Sequence, residues 1–161
     1  MTSRTTVIAA QTEAHWDAVR FLFKEYAGSI GIDLCFQNFE NELKSLPGDY
    51  AVPRGVLLIA LSDGHWAGCC ALRPLDNVDY ANACEMKRLY VRPAFRGLGL
   101  GRLLAEAVLE HARLADYASI LLDTLDDMES ARALYEELGF EEIPPYYFNP
   151  IAGSHYLRAS L

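Results

Sequence analysis

The stretch Leu89-Tyr90-Val91-Arg92-Pro93-Ala94-Phe95-Arg96-Gly97-Leu98-Gly99-Leu100-Gly101-Arg102 constrains the fold more than any other part of the chain. Apolar residues run up to Val91, Pro93 interrupts them, and a helical pattern begins near Gly101. A strand, a loop and a helix in that order call for a sheet with a helix packed on it. Glycines at 97, 99 and 101 remove side chains, so backbone N–H groups can approach a ligand closely. The helix start adds unpaired N–H donors and a partial positive charge. Together they form an anion cradle suited to a pyrophosphate, with Arg96 and Arg102 at its edges.

Charge sharpens this reading. The formal net charge is −8, which argues against a general nucleic-acid binder. Yet from Met86 to Ala105 there is no Asp or Glu, while Lys87, Arg88, Arg92, Arg96 and Arg102 fall in the same window. A basic island in an acidic chain predicts a local anion site. No Gly-Lys-Ser/Thr follows the glycines, so the loop is not a nucleoside-triphosphate P-loop. The dinucleotide pattern Gly-x-Gly-x-x-Gly fails too, because position 102 is Arg when counted from Gly97. What remains is Arg-x-x-Gly-x-Gly at Arg96, Gly99 and Gly101; a tight turn without a ligand would use the same glycines.

The rest of the chain supplies one domain, spanning 1–161, with 52% apolar residues for its core. No run of about 18 apolar residues suggests a membrane span, and Met1-Thr2-Ser3-Arg4 lacks the plan of a signal peptide. The expectation is a cytoplasmic protein without membrane or nucleic-acid partners. A helix is predicted from a Thr12 cap through Tyr26, and another along Phe36, Phe39, Leu43 and Leu46. Strands are predicted over Val56–Leu61, Trp66–Leu72 and Cys84–Val91, a helix over Gly101–Ala115, and a strand over Ile120–Thr124. A helix over Glu129–Leu138 ends at Gly139, with closing strands at Glu141–Ile143 and Tyr156–Leu161. Cys35, Cys69, Cys70 and Cys84 have no zinc spacing and read as reduced, packed thiols, Cys69 and Cys70 on opposite faces. The histidines have no ligand spacing, so no metal is expected. Asp123, Asp126, Asp127 and Glu129 read as a solvated, helix-capping run.

The glycine segment resembles the first signature of the GNAT acetyltransferase superfamily, whose Arg/Gln-x-x-Gly-x-Gly/Ala loop binds the pyrophosphate of acetyl-CoA. Ala131-Arg-Ala-Leu-Tyr135-Glu-Glu-Leu-Gly139-Phe140 is similar to the family's second signature. Met128 stands where the family often has an Asn that contacts the cofactor. The resemblance implies a single-domain α/β fold with a mixed, mostly antiparallel twisted sheet flanked by helices. It implies an acetyl-CoA-dependent N-acetyltransferase that acts on a small or amino-acid-like primary amine by direct attack. A protein N-terminal or Lys acceptor, or a non-catalytic acyl-CoA module, are the alternatives, and a homodimer is allowed. Carried over residue by residue, it gives Tyr135 as general acid. Leu89 and Val91 would bind the cofactor through backbone groups, and Arg96, Gly97, Leu98, Gly99, Gly101 and Arg102 would bind its pyrophosphate. Glu85, a carboxylate inside an apolar strand, is the candidate base, or else half of a salt bridge. Tyr26, Phe36 and Tyr147 would line the acceptor pocket.

Overall fold

Seven strands form one open sheet in the order β1-β2-β3-β4-β5-β7-β6. The computed structural model describes residues 4–30, 39–125, 129–149 and 151–161. The elements in chain order are β1 (Thr5–Ala9), α1 (Glu13–Ile30), α2 (Phe39–Lys44), β2 (Val56–Ser62), β3 (His65–Leu75) and β4 (Ala83–Val91). They continue with α3 (Leu100–Leu114), β5 (Ser119–Leu125), α4 (Glu129–Glu137), β6 (Glu141–Ile143) and β7 (Ser154–Ser160). Every strand pair is antiparallel except β4 with β5, which is parallel. This is the mixed, mostly antiparallel, helix-flanked α/β sheet that the sequence predicts. None of the described helices is long and apolar enough to cross a membrane.

Two apolar layers sandwich the sheet. On one face Leu100, Leu104, Val108 and Ala112 of α3 pack with Cys70, Cys84, Met86, Ile120 and Leu122. On the other, Val19, Leu22 and Phe23 of α1 and Leu43 of α2 pack with Ile59, Cys69, Ala71 and Tyr90. Strand alternation thus sends Cys69 and Cys70 to opposite layers. Burial pushes the Cys69 thiol well above its ordinary value and the Cys70 and Cys84 thiols up to about 12, so these act as packed apolar groups.

The structure corrects the reading in two places. β1 was not expected; Thr5–Ala9 pairs with Leu58–Ser62 of β2 at the sheet edge, a contact between stretches far apart in the chain. Its five residues are only partly buried, so the alternation that marks a strand is faint. The second helix is shorter than its apolar stripe. It ends at Lys44, and Leu46 is buried from the turn beyond it. Phe36 lies outside the described residues.

One feature of the sheet positions everything that follows. β4 pairs with β5 only through Ala83, Cys84 and Glu85, opposite Ser119, Ile120 and Leu121. Both strands continue, β4 to Val91 on β3 and β5 to Leu125 on β7, but they no longer pair with each other. A notch opens between them. Directly after the last shared pair, β4 carries a bulge, with Ala71 opposite Lys87 and Cys69 opposite Tyr90. Arg88 takes up the extra residue at φ 61, and a bulge of this kind bends the strand that holds it.

Candidate active site

The notch exposes the free edge of β4. The Arg92 N–H donates to the Ala67 carbonyl of β3, 2.8 Å away. Alternation along the strand then turns the N–H and C=O groups of Leu89 and Val91 toward the edge that β5 has left. Arg96 Nε donates to the Val91 carbonyl at 3.0 Å, which marks that edge as accessible to a donor. The side chains of Leu89 and Val91 pack onto the α3 layer. Both residues thus offer backbone groups to the notch, as an extended ligand arm adding like a strand would need.

A single turn, Pro93–Phe95, leads from β4 to the glycine loop. Gly97 and Gly99 have φ 85 and 77, and a Cβ at either would meet nothing within 4 Å. The left-handed backbone favours glycine at both places, and the space above them is open. Gly99 is the N-cap of α3 and supplies no side-chain cap. Among the described residues, no backbone N–H from Gly97 to Arg102 has a backbone acceptor within the fold. The loop therefore aims unpaired donors and the α3 N-terminus at one open space, which fits a phosphate group. Gly101 differs. Its φ is not positive, and a Cβ there would touch Val91 at an ordinary 3.9 Å. Leu98 is 45% exposed at the rim. Arg102 is exposed and bridges Glu106 and Glu137, so its charge is shared with acids rather than aimed alone at the cradle.

On the α1/α2 face, under the notch, lies a web of buried charge. Glu85 is 1% exposed and accepts from Arg73 Nε at 2.7 Å and from the Tyr146 hydroxyl at 2.6 Å. Lys87 Nζ stands 3.9 Å from the same carboxylate. Burial would raise the Glu85 carboxyl, but Lys87, Arg73 and Tyr146 outweigh it and hold it below its ordinary value. Burial in turn lowers Lys87, against the pull of Glu85. Arg88, thrown inward by the bulge, is 4% exposed; its Nε and one terminal nitrogen each meet a Glu42 oxygen at 3.1 Å. Its guanidinium also lies over the Phe39 ring. Glu85 is therefore one half of a salt bridge, the second of its two expected readings, whatever else it does.

The aromatic candidates divide between the layers, Tyr135 in the α3 layer and Tyr26 against the α1/α2 layer. Tyr135 of α4 is 6% exposed and packs edge-on against Phe140. Burial pushes its hydroxyl well above the ordinary phenol value, and Cys70, Tyr26 and Asp123 all act on it electrostatically. It therefore stays a proton donor at neutral pH. Tyr26 stacks edge-on against Tyr90 at 5.9 Å, and burial pushes it up to about 12. Tyr147 donates to Asp123 at 2.8 Å, while its neighbour Tyr146 reaches Glu85. The segment between β6 and β7 thus stitches together the two strands that part. Asp123 falls inside the strand predicted over Ile120–Thr124, and β5 bears that placement out; its reading as part of a solvated, helix-capping run does not hold, since it is half-buried and accepts from Tyr147. Its place as the one charged residue of Ser119–Leu125 is the signal that marks it. Arg73 and Glu42 were not expected either; each is found only through its partner on another element. Among the described residues no group of three or more His, Cys, Asp or Glu is arranged to hold a metal.

Comparison with known proteins agrees with this geometry. An uncharacterized N-acetyltransferase of Schizosaccharomyces pombe is 38% identical over 160 residues, covering 99% of this chain and 96% of that protein. N-acetylaspartate synthetase of Rattus norvegicus is 34% identical over 91 residues, covering 56% of this chain and 29% of that longer protein. The crystal structure of an acetyltransferase from Streptococcus agalactiae superposes with a TM-score of 0.78, covering 98% of both chains at 22% identity, a likeness of fold. The profile of the acetyltransferase (GNAT) family matches residues 16–140, from α1 through the end of α4 to Phe140. With a notch between β4 and β5, a glycine cradle at the head of α3 and a whole-length N-acetyltransferase relative, the chain belongs to the GNAT family of N-acetyltransferases.

Proposed function

We propose that this chain transfers acetyl from acetyl-CoA to the primary amine of a small, amino-acid-like acceptor by direct attack. One observation carries the reading: the open cradle of Gly97 and Gly99 follows directly on the stretch of β4 that β5 leaves unpaired. The amides of the Gly97–Gly101 loop, with Arg96, hold the pyrophosphate, and Leu98 borders it. Leu89 and Val91 hold the pantetheine arm through their backbone, and an N–H of this edge polarises the thioester oxygen. Tyr135 gives its hydroxyl proton to the departing thiolate. Tyr26 and Tyr147 border the acceptor. The two cations and the phenol around Glu85 favour a fixed negative charge that orders Tyr146 and Lys87. The partial match to a protein named for making N-acetylaspartate supports an amino-acid acceptor over a protein one.

The test is calorimetry with acetyl-CoA, followed by CoA release on adding single amino acids or short peptides. Binding in the micromolar range, with release stimulated by amino acids, is expected. Release stimulated by peptides alone would give the chain a protein acceptor. Binding without any stimulated release would make it an acyl-CoA-binding module.

A further inference from the structure

Glu85 and Asp123 stand on the two strands that part, and they face the same side of the sheet. Glu85 pairs with Leu121, and Asp123 lies two residues further along β5, past the last residue that β4 touches. Tyr146 and Tyr147, with ring centroids 5.3 Å apart, reach one carboxylate each. There the likeness ends. Glu85 is sealed from solvent and held by Arg73, Lys87 and Tyr146. Asp123 is only partly buried, and its hydrogen bonds come from neutral donors, Tyr147 at 2.8 Å and Asn149 Nδ2 at 3.5 Å. Among the described residues it has no cation within ion-pair distance. It is also the carboxylate whose field reaches Tyr26 of α1, Lys87 of β4, Tyr135 of α4, Tyr156 of β7, and Tyr146 and Tyr147 of the connecting segment. An anion at the open end of the notch, ringed by phenols and partly reachable, is where a cation arriving with the acceptor lowers the energy most.

We propose that Asp123 receives the ammonium group of the acceptor and removes its proton. This rests on the transferase reading above. An alkyl amine is only about 0.04% neutral at pH 7, so the bound ammonium must lose a proton before it attacks. Asp123 takes that proton as a carboxylic acid. The freed lone pair forms the new C–N bond, the thioester C–S bond breaks, and Tyr135 protonates the sulfur. The nitrogen then yields its surplus proton to the Tyr135 phenolate, restoring the phenol, and Asp123 releases its own proton to water. The sum is ammonium plus thioester giving amide, thiol and one proton.

The experiment measures CoA release from acetyl-CoA, with ethylamine and with each common amino acid, for wild type, Asp123→Asn and Asp123→Glu. Acetyl-CoA affinity and melting temperature are measured alongside. Asp123→Asn is expected to lower kcat/KM for the amine at pH 7 by about 100-fold, the lower end for an acid–base group. Its acetyl-CoA affinity should stay within about threefold of wild type. The deficit should shrink as pH rises toward the amine's own pKa, because more acceptor then arrives neutral. Asp123→Glu, which keeps the carboxylate, should recover about tenfold over Asn. An Asn variant within about threefold of wild type would overturn the assignment. So would a loss that is constant with pH and accompanied by a lower melting temperature, since that marks a structural group. Wild type that binds acetyl-CoA but releases no CoA with any amine would overturn the transferase reading itself, and this assignment with it.

Discussion

The loop from Arg96 to Arg102 and the buried face around Glu85 are both fed by β4, and they handle charge in opposite ways. The loop offers backbone amides at a helix start, exposed and unpaired, with glycines clearing the space in front of them. The face offers full charges on side chains, Arg73, Lys87 and Arg88 against Glu42 and Glu85, all but Arg73 largely buried and each already matched. Partial charges that cost little to leave open suit a ligand that comes and goes. Full charges in a low dielectric are costly unless satisfied within the protein, so they hold shape. Mutations should separate the two regions cleanly, one through affinity and the other through stability.

The largest effect is expected in the cradle. Gly99→Asp places a carboxylate at a left-handed position facing the phosphate space. A unit-charge repulsion at 4 Å is worth about 4 kcal/mol at an effective dielectric of 20, so acetyl-CoA affinity should fall by roughly 1,000-fold in calorimetry. Melting should change far less. If affinity holds, the loop is a turn and nothing more.

Next is Arg88→Met, on the other side of the comparison. It leaves Glu42 without its bidentate partner, and breaking a buried pair costs about 3–5 kcal/mol. Denaturant unfolding should show a loss of about 3 kcal/mol, and adding Glu42→Leu should recover most of it. An additive double variant would mean that the two side chains do not depend on each other.

Tyr135→Phe tests the point where the two regions meet. Phe keeps the ring against Phe140 and loses only the hydroxyl. Turnover should fall by about 100-fold while acetyl-CoA affinity and melting stay near wild type. Activity within about twofold would leave Tyr135 as core alone.

The smallest effect concerns pH. The Glu85 carboxyl is held below the ordinary 4.5, so in the unfolded chain it binds its proton more readily. Its contribution to stability is complete above that unfolded value and is lost as pH falls through the lower folded value. The stability gap between wild type and Glu85→Gln should therefore be constant from pH 7 to about 5. Below about 4.5 it should narrow, by at most about 1.4 kcal/mol per pH unit. A gap that widens in acid would place the shift in the opposite direction.

The same contrast explains what could be read from the chain. The cradle was legible because its chemistry lies in consecutive residues: glycine spacing, a strand before and a helix after. α3, β4 and β5 were legible for the same reason, their apolar periods being local. The buried face around Glu85 was not. Glu85 was noticed as a charge in an apolar strand, but its partner Arg73 comes from a register fixed by strand pairing. Glu42 reaches Arg88 across 46 positions of chain. Asp123 sits near Asp126 and Asp127 in sequence, and that run suggested a solvated cap, although the strand predicted over Ile120–Thr124 already contained it. β1 escaped because its meaning lies in the edge of β2 that it covers.

The bulge at Arg88 has one more consequence, best put as a matter of chain length. Opposite the stretch from Cys69 to Ala71, β4 spends one residue more than β3 does. That surplus cannot lie flat, so it is taken up as curvature, and the curve carries the end of β4 away from β5. Without Arg88 the two strands of the hairpin would match residue for residue. Lys87, Leu89 and Tyr90 would keep their faces, the core would scarcely notice, and a straightened β4 could go on pairing with β5 beyond Glu85. The opening between β4 and β5 is in this sense an arithmetical remainder, one residue of slack placed where the sheet would otherwise have closed.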